Sequence, residues 1–158
     1  DKRHLFGMAG EQDHYAAGTT TLVTRYKGWK IMPLVCYDLR FPVWSRNSNK
    51  ETDGRLWYDV LVYCANWPEA RVSHWNLLLQ ARAIENQSYV AGVNRSGKDG
   101  NDIAYSGDSA LIDFMGKKVL EAGAQPKLLA YSLEWEPMRA YREKFPAWQD
   151  GDEYEMFA

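Results

Sequence analysis

The chain has 158 residues, of which 46% are hydrophobic and 25% are charged, a composition typical of a folded globular domain rather than a disordered segment. A formal net charge of −2 argues against a protein that binds nucleic acid or an anionic membrane through charge, and no hydrophobic run is long enough to span a bilayer. The two cysteines, Cys36 and Cys64, do not make the disulfide framework of a small secreted domain, so we expect a cytoplasmic protein.

The first half of the chain favours strands, because β-branched and aromatic residues cluster in runs that turn residues separate. The elements predicted there are, in order, a strand over 19–26, a turn at 27–28, a strand over 29–35, a short helix over 41–46 and a strand over 59–64. The run 59–64 is almost continuously apolar, which is typical of a buried parallel strand.

The second half contains the clearest helix, predicted over 69–87, where apolar side chains recur at helical spacing on one face (Val72, Trp75, Leu78 and Leu79). The other elements predicted there are strands over 89–93, 107–114, 118–120 and 128–133, a loop over 94–97 and a short helix over 136–142. Strands alternate with a long helix in the middle of the chain and hairpins lie on either side. This order predicts an α/β fold with a mixed sheet, in one domain or part of one.

Cys36 ends a strand-like run and is followed at once by polar residues and a predicted short helix. Reactive groups of open α/β sheets lie at such strand ends, where a helix N-terminus or a cation can stabilise a thiolate. The alternative is that Cys36 is a small buried hydrophobic residue, which is the commoner role of a free cysteine. The position alone leaves both interpretations open.

A nucleophilic Cys36 needs an activating group. The three histidines, His4, His14 and His74, lie in no strand-end motif and have no metal-ligand spacing with a cysteine, so we expect structural roles for them. The other possible activator is a lysine with a carboxylate, since an ammonium group lowers a thiol pKa and stabilises an oxyanion while a carboxylate transfers protons. Lys2 and Glu11 are candidates, although composition alone would leave both as solvated surface charges.

Several segments resemble, in chain order, the motifs of one enzyme family. Residues 2–6, Lys-Arg-His-Leu-Phe, are similar to the lysine motif of the nitrilase superfamily of carbon–nitrogen hydrolases. Residues 35–42, Val-Cys-Tyr-Asp-Leu-Arg-Phe-Pro, resemble its cysteine motif, and residues 11–18 resemble its loop with an additional glutamate. Residues 63–68 resemble the strand-end loop beside the active site, and residues 80–86 resemble the supporting helix.

The ω-amidase branch is the most similar, through Asn94-Arg95 and the closing run 141–150. This resemblance implies an α-β-β-α sandwich that hydrolyses the terminal amide of a small dicarboxylic acid monoamide, such as 2-oxoglutaramate, and releases ammonia. It also implies a homodimer or a higher homo-oligomer whose partner is a small-molecule amide, not nucleic acid or a membrane. We expect neither a cofactor nor a metal.

The resemblance assigns roles to individual residues. Lys2 matches the triad lysine and Cys36 the triad nucleophile, whose thiolate would attack the amide carbonyl and form a thioester that water hydrolyses. Lys2 and the backbone N–H of Tyr37 would stabilise the oxyanion. Glu11 matches the additional glutamate, which would orient Lys2 or the substrate. The alternative for Glu11 is a solvated loop carboxylate.

Other polar and aromatic residues receive lesser roles. Asn66 and Trp67 follow a strand and are candidates for lining the substrate pocket. Cys64 ends a predicted buried strand, so we expect an inert core thiol. Structural ion pairs are expected for Asp38 with Arg40 and for Arg82 with Glu85.

The general-base glutamate of the family precedes the lysine motif, and nothing in residues 1–158 matches it. Glu11 follows Lys2 and is not assigned that role. We therefore expect residues 1–158 to be a partial carbon–nitrogen hydrolase domain that lacks its N-terminal third and is inactive alone. Two alternatives remain: another nitrilase-family amidase, carbamoylase or nitrilase, or a non-catalytic binding or assembly fragment.

Overall fold

The computed structural model describes residues 1–48, 56–152 and 154. A six-stranded mixed sheet with the order β1-β2-β3-β4-β7-β8 forms its centre, and β5 and β6 form a separate hairpin. The strands are β1 (Thr24–Tyr26), β2 (Trp29–Val35), β3 (Val60–Ala65), β4 (Tyr89–Asn94), β5 (Ser96–Lys98), β6 (Ala104–Ser106), β7 (Ala110–Ile112) and β8 (Lys118–Glu121). The α-helices are α1 (Val72–Asn86) and α2 (Trp135–Lys144), and the short 3₁₀ helices include Cys36–Arg40 and Pro42–Ser45, which precede α1.

The three central strands β2, β3 and β4 are parallel, whereas β1, β7 and β8 pair antiparallel at the sides. Val35 lies opposite Cys64, and Ala65 lies opposite Asn94. The carboxyl ends of the three parallel strands therefore meet at one edge of the sheet. Side chains that follow these strands are brought together there.

Helix α1 covers one face of the sheet. Its buried residues Trp75, Leu79 and Ala83 pack in the main hydrophobic core with inward-facing residues of β2, β3 and β4. Gly92 of β4 permits this close packing, because a Cβ atom there would lie 2.4 Å from Leu79 Cδ1 and 2.7 Å from Trp75 Cζ2. The contact between α1 and β4 therefore leaves no room for a side chain at position 92.

Helix α2 covers only part of the opposite face. Met138 is buried against a second cluster that contains Val60, Tyr89 and Phe114. Farther along the same face, Val35, Cys64 and Val93 are exposed, so no described residue covers that part of the sheet. The expectation that Cys64 is buried is wrong, because alternate residues of β3 face opposite sides and only the α1 side is covered there.

The α/β class with a mixed sheet is confirmed, and the described residues form one sheet and its helices. The predicted strand over 128–133 is wrong: this segment has no ladder partner, and Leu128 is 98% exposed. The strand predicted over 19–26 is shorter, covering Thr24–Tyr26, and continuing its register would place Leu22 opposite Pro33, which has no N–H to donate. The predicted loop 94–97 contains the start of β5, and the helix predicted over 41–46 is a 3₁₀ helix. Neither α-helix among the described residues is long and apolar enough to cross a membrane.

Candidate active site

Cys36 lies directly after β2 and begins the 3₁₀ helix Cys36–Arg40. Its φ angle of 46° is left-handed, a conformation that residues other than glycine adopt rarely and that is frequent at functional sites. The thiol is half-buried, and Sγ donates a hydrogen bond to the carbonyl oxygen of Asn66 at 3.9 Å. The strand end thus presents the sulfur at the edge where β2 and β3 meet.

Asp38 anchors the turn that carries Cys36. Its carboxylate is fully buried and accepts hydrogen bonds from the Val35 N–H at 3.1 Å and the His4 N–H at 2.9 Å. The His4 ring Nδ1 also lies 2.9 Å from Asp38 Oδ1, and the ring stacks on Phe41 at 3.7 Å. His4 therefore has the structural role that the sequence predicts, and it connects the segment of Lys2 to the cysteine turn.

Arg40 is not paired with Asp38, so this predicted ion pair is wrong. Asp38 points into the core, where backbone N–H groups satisfy it, whereas Arg40 points out of the turn. Arg40 Nη2 lies 3.0 Å from His74 Nδ1, and its guanidinium covers the ring of Trp67 at 4.9 Å. Arg40 thereby becomes part of the pocket wall.

The buried residue Arg82 supports the cysteine turn from α1. It donates a 2.7 Å hydrogen bond to the carbonyl oxygen of Leu39 and forms the predicted pair with Glu85 at 3.0 Å. The predicted structural role of Arg82 with Glu85 is confirmed. The turn is therefore held from His4 on one side and from α1 on the other.

Lys2 and Glu11 form an ion pair beside Cys36. Lys2 Nζ donates to Glu11 Oε2, and the same oxygen accepts the N–H of Phe6 at 2.8 Å. Burial would raise the pKa of Glu11, but the hydrogen bonds from Lys2 and Phe6 and the charge of Lys2 outweigh it, so the pKa lies below its usual value. Glu11 is therefore ionised near neutral pH and is a partner of Lys2, not a free surface charge.

The Cys36 thiol has a pKa above its ordinary value. Burial is the main cause. The hydrogen bond with the Asn66 backbone and the Lys2 ammonium lower the pKa, while the carboxylates of Glu11 and Asp38 raise it further. The Lys2 cation lowers the thiol pKa as the sequence analysis expects, but the effect of desolvation is larger. In this environment the thiol keeps its proton near neutral pH, so it needs a base before it can attack a substrate.

One pocket of about 650 Å³ contains all the predicted site residues on its wall, namely Lys2, Glu11, Cys36, Tyr37, Asn66 and Trp67. The segment 66–68 after β3 supplies Asn66, which is exposed, and Trp67, which is 3% exposed and packs on Trp75. The volume suits a small organic molecule.

The sequence interpretation missed part of the pocket wall. The hairpin of β5 and β6 contributes Asp99, whose carboxylate accepts the Tyr105 hydroxyl at 2.8 Å and the Asn101 N–H at 2.9 Å. The Asp-Gly-Asn run at 99–101 is a turn signal that predicts such a hairpin. Arg71 also lines the pocket, with its guanidinium 5.6 Å from the ring centre of Phe6. No sequence signal distinguishes Arg71 from a surface arginine.

Comparisons with known proteins show the family of this chain. The carbon-nitrogen hydrolase family model matches residues 1–143. Omega-amidase YafV of Escherichia coli (strain K12) is 53% identical over 158 residues, an alignment that covers 99% of this chain and 59% of the relative. The 2-oxoglutaramate amidase of Bacillus subtilis (strain 168) is 36% identical over 149 residues, which cover 94% of this chain and 55% of that protein.

A solved structure gives the same result for the fold. The crystal structure of XC1258 from Xanthomonas campestris is described as that of a CN-hydrolase superfamily protein with an arsenic adduct in the active site. It matches with a TM-score of 0.97 at 47% identity, over 99% of this chain and 60% of that chain. The chain spans about three fifths of the length of the relatives it matches. By sequence and by fold, it belongs to the carbon–nitrogen hydrolase family of the nitrilase superfamily.

Proposed function

We propose that the protein containing this chain is an amidase that hydrolyses the terminal amide of a small dicarboxylic acid monoamide of the 2-oxoglutaramate type. The observation that carries the proposal is the half-buried Cys36 thiol at a left-handed strand end, on the wall of the pocket that also contains Lys2. The names of the two curated relatives, an omega-amidase and a 2-oxoglutaramate amidase, support the reaction and the substrate class.

The proposed mechanism is acyl transfer through Cys36. A base removes the thiol proton, Sγ attacks the amide carbonyl carbon, and the carbonyl oxygen becomes an oxyanion. The Lys2 ammonium and the backbone N–H of Tyr37 stabilise that oxyanion. The C–N bond then breaks, the nitrogen takes up a proton and leaves as ammonia, and water hydrolyses the thioester to the free acid.

The base is proposed to lie outside residues 1–158. The raised pKa of the Cys36 thiol requires a base, and Glu11 is a poor one because Lys2 and the Phe6 N–H stabilise its ionised form. The general-base glutamate of the family has no match in this sequence. Residues 1–158 are thus proposed to be part of a larger hydrolase domain.

Two guanidinium groups in the pocket favour a substrate whose acyl group carries a carboxylate. Arg40 and Arg71 both line the pocket of Cys36. Arg40 contacts His74 and Trp67, whereas Arg71 stacks on Phe6 and has no carboxylate partner within the described parts of the chain. An unpaired, half-buried guanidinium beside a nucleophile suits the distal carboxylate of a dicarboxylic acid monoamide.

The proposal extends to a cytoplasmic homodimer or higher homo-oligomer. Leu77 and Ile84 lie about two turns apart on the same face of α1. They are 67% and 54% exposed, which suits an interface between copies of the protein. Light scattering of the complete protein measures the assembly, and a monomer at micromolar concentration contradicts this part of the proposal.

The test compares the complete enzyme on 2-oxoglutaramate, on an N-carbamoyl amide and on a nitrile. We expect ammonia release to be fastest with 2-oxoglutaramate and to be abolished in Cys36→Ala, while Cys64→Ala retains activity. Faster turnover of the carbamoyl amide or the nitrile contradicts the substrate class. Activity that survives Cys36→Ala contradicts the mechanism.

A further inference from the structure

Asn94, the last residue of β4, makes an unusually complete set of hydrogen bonds at the edge of the sheet. Its side-chain Oδ1 accepts the Trp67 N–H at 2.7 Å, and its Nδ2 donates to the Trp67 carbonyl oxygen at 3.0 Å. Nδ2 also donates to the carbonyl oxygen of Gly107 at 2.8 Å. One amide group thus binds both backbone groups of the residue that follows Asn66.

A single peptide unit, that between Asn66 and Trp67, connects the Asn94 side chain to Cys36 by hydrogen bonds. The carbonyl oxygen of Asn66 accepts a hydrogen bond from the Cys36 thiol. The N–H of the same peptide unit, which belongs to Trp67, donates a hydrogen bond to Asn94 Oδ1. This peptide unit is therefore held at its N–H end by Asn94 and presents its oxygen to sulfur. Since a peptide unit is planar, fixing its N–H fixes the direction of its C=O.

The backbone of Asn94 is itself fixed. Its N–H donates to Ser109 Oγ at 2.9 Å, and its carbonyl oxygen accepts the Ser109 hydroxyl at 3.1 Å. Gly107, the third group held by the Asn94 amide, directly follows β6, whose hairpin forms a wall of the pocket. The Asn94 side chain therefore connects the rigid sheet, the Trp67 loop and the base of the hairpin.

Only an amide side chain of this length satisfies all three backbone groups. Aspartate keeps the acceptor for the Trp67 N–H but has no donor for the two carbonyl oxygens and places negative charge beside them. Alanine leaves one N–H and two C=O groups without their partner, a loss that is costly where water does not replace it. The requirement is for one acceptor and two donors on a single planar group.

We propose that Asn94 is a positioning residue for the nucleophile, acting through the Asn66–Trp67 peptide that orients the Cys36 thiol. The inference rests on the proposed function only for its kinetic consequence, because the hydrogen bonds and the state of the thiol do not depend on the substrate. Small displacements of a reacting atom have large effects on rate, so removal of this support lowers turnover without removing a substrate contact.

The test uses Asn94→Ala and Asn94→Asp in the complete enzyme, with Asn86→Ala as the matched control. Asn86, like Asn94, is an asparagine whose side chain bonds to backbone groups, those of Arg82 and Asn47, but it is buried and does not line the pocket. We expect both Asn94 variants to lower kcat about tenfold to a hundredfold with little change in KM. Asn86→Ala is expected to lower Tm while kcat of the folded enzyme stays unchanged.

A second measurement needs no substrate. Release of the Asn66 peptide removes a hydrogen bond that lowers the pKa of the Cys36 thiol, but it also lets water reach the sulfur, and desolvation is the larger of the two effects on this pKa. Iodoacetamide should therefore alkylate Cys36 faster in both Asn94 variants than in Asn86→Ala. Faster alkylation combined with slower turnover is the expected signature, and aspartate should be as damaging as alanine despite its shape. Wild-type rates of alkylation and turnover in the Asn94 variants overturn the inference, as does an Asn94→Asp variant that behaves like wild type.

The two proposals fail separately. If the complete enzyme hydrolyses no amide, the proposed function fails, and the alkylation rates still decide the role of Asn94. If Cys36→Ala abolishes activity while the Asn94 variants match Asn86→Ala in both measurements, only the role of Asn94 fails.

Discussion

At the scale of single residues, the site depends on opposed electrostatic effects around Cys36. Burial and two carboxylates raise its pKa, whereas the hydrogen bond with the Asn66 backbone and the charge of Lys2 lower it. Lys2 is held in place by Glu11, which accepts from both Lys2 and the Phe6 N–H. The resemblance of the segments around Lys2, Glu11 and Cys36 to the motifs of the nitrilase superfamily implies this cluster. The size of the desolvation effect depends on packing that no sequence pattern shows.

The first prediction concerns the charge of Lys2. Lys2→Met removes the group that favours the thiolate and leaves the negative charge of Glu11 uncompensated, so the pKa of Cys36 rises. The pH profile of iodoacetamide alkylation of Cys36 should shift to higher pH in the complete enzyme. Lys2→Arg keeps the charge and is the control, with a profile close to wild type. A shift to lower pH for Lys2→Met contradicts the assigned role.

The second prediction concerns Arg71 and the carboxylate of the substrate. Arg71→Ala removes a charge-assisted hydrogen bond, so kcat/KM for 2-oxoglutaramate should fall by about tenfold to a hundredfold. A neutral aliphatic amide has no carboxylate to bind, and its kcat/KM should change little. Equal losses for both substrates would show that Arg71 supports the pocket without recognising the carboxylate.

At the scale of elements, apolar patterning predicts well what lies in the covered core. The strands β2, β3 and β4 and helix α1 were all predictable, because each buries side chains that recur with a clear period. The failures have physical causes. Residues 128–133 have strand propensity but no neighbouring strand, and β5 and β6 are short and polar, so only their turn residues mark them. The exposure of Cys64 depends on which face is covered, and strand periodicity does not contain that information.

The third prediction concerns the contact between α1 and β4. In Gly92→Ala the new Cβ atom overlaps Leu79 and Trp75, both fully buried, so we expect a loss of about 1–3 kcal/mol in the free energy of unfolding. Gly100→Ala is the matched control, because no atom lies within 4 Å of a Cβ at that position. Urea denaturation of the complete protein measures both. Equal stability of the two variants contradicts the packing described for this face.

At the scale of the whole molecule, we propose that the site and the sheet of residues 1–158 belong to a larger hydrolase domain. On one face of the sheet Val35, Cys64 and Val93 are exposed. Among the described residues, the carboxylates near the thiol with the raised pKa are those of Glu11, which pairs with Lys2, and Asp38, which is buried and hydrogen-bonded. The chain spans about three fifths of its relatives. A single larger domain that covers the face and supplies the base accounts for both observations.

The fourth prediction follows from this proposal. The isolated chain should bind a hydrophobic dye strongly and hydrolyse 2-oxoglutaramate at no measurable rate, whereas the complete protein should bind little dye and be active. Parallel measurements on the two proteins test this. Amide hydrolysis by the isolated chain at a rate near that of the complete enzyme contradicts the proposed position of the base.

The most direct test of the central claim is to trap the acyl-enzyme. The complete enzyme is mixed with 2-oxoglutaramate, quenched in acid during turnover, digested and analysed by mass spectrometry. We predict that the peptide containing Cys36 gains the mass of the acyl group left after loss of ammonia, and that this gain is absent in Cys36→Ala. Turnover with no adduct on Cys36, together with an adduct on Cys64 or undiminished activity in Cys36→Ala, contradicts the account.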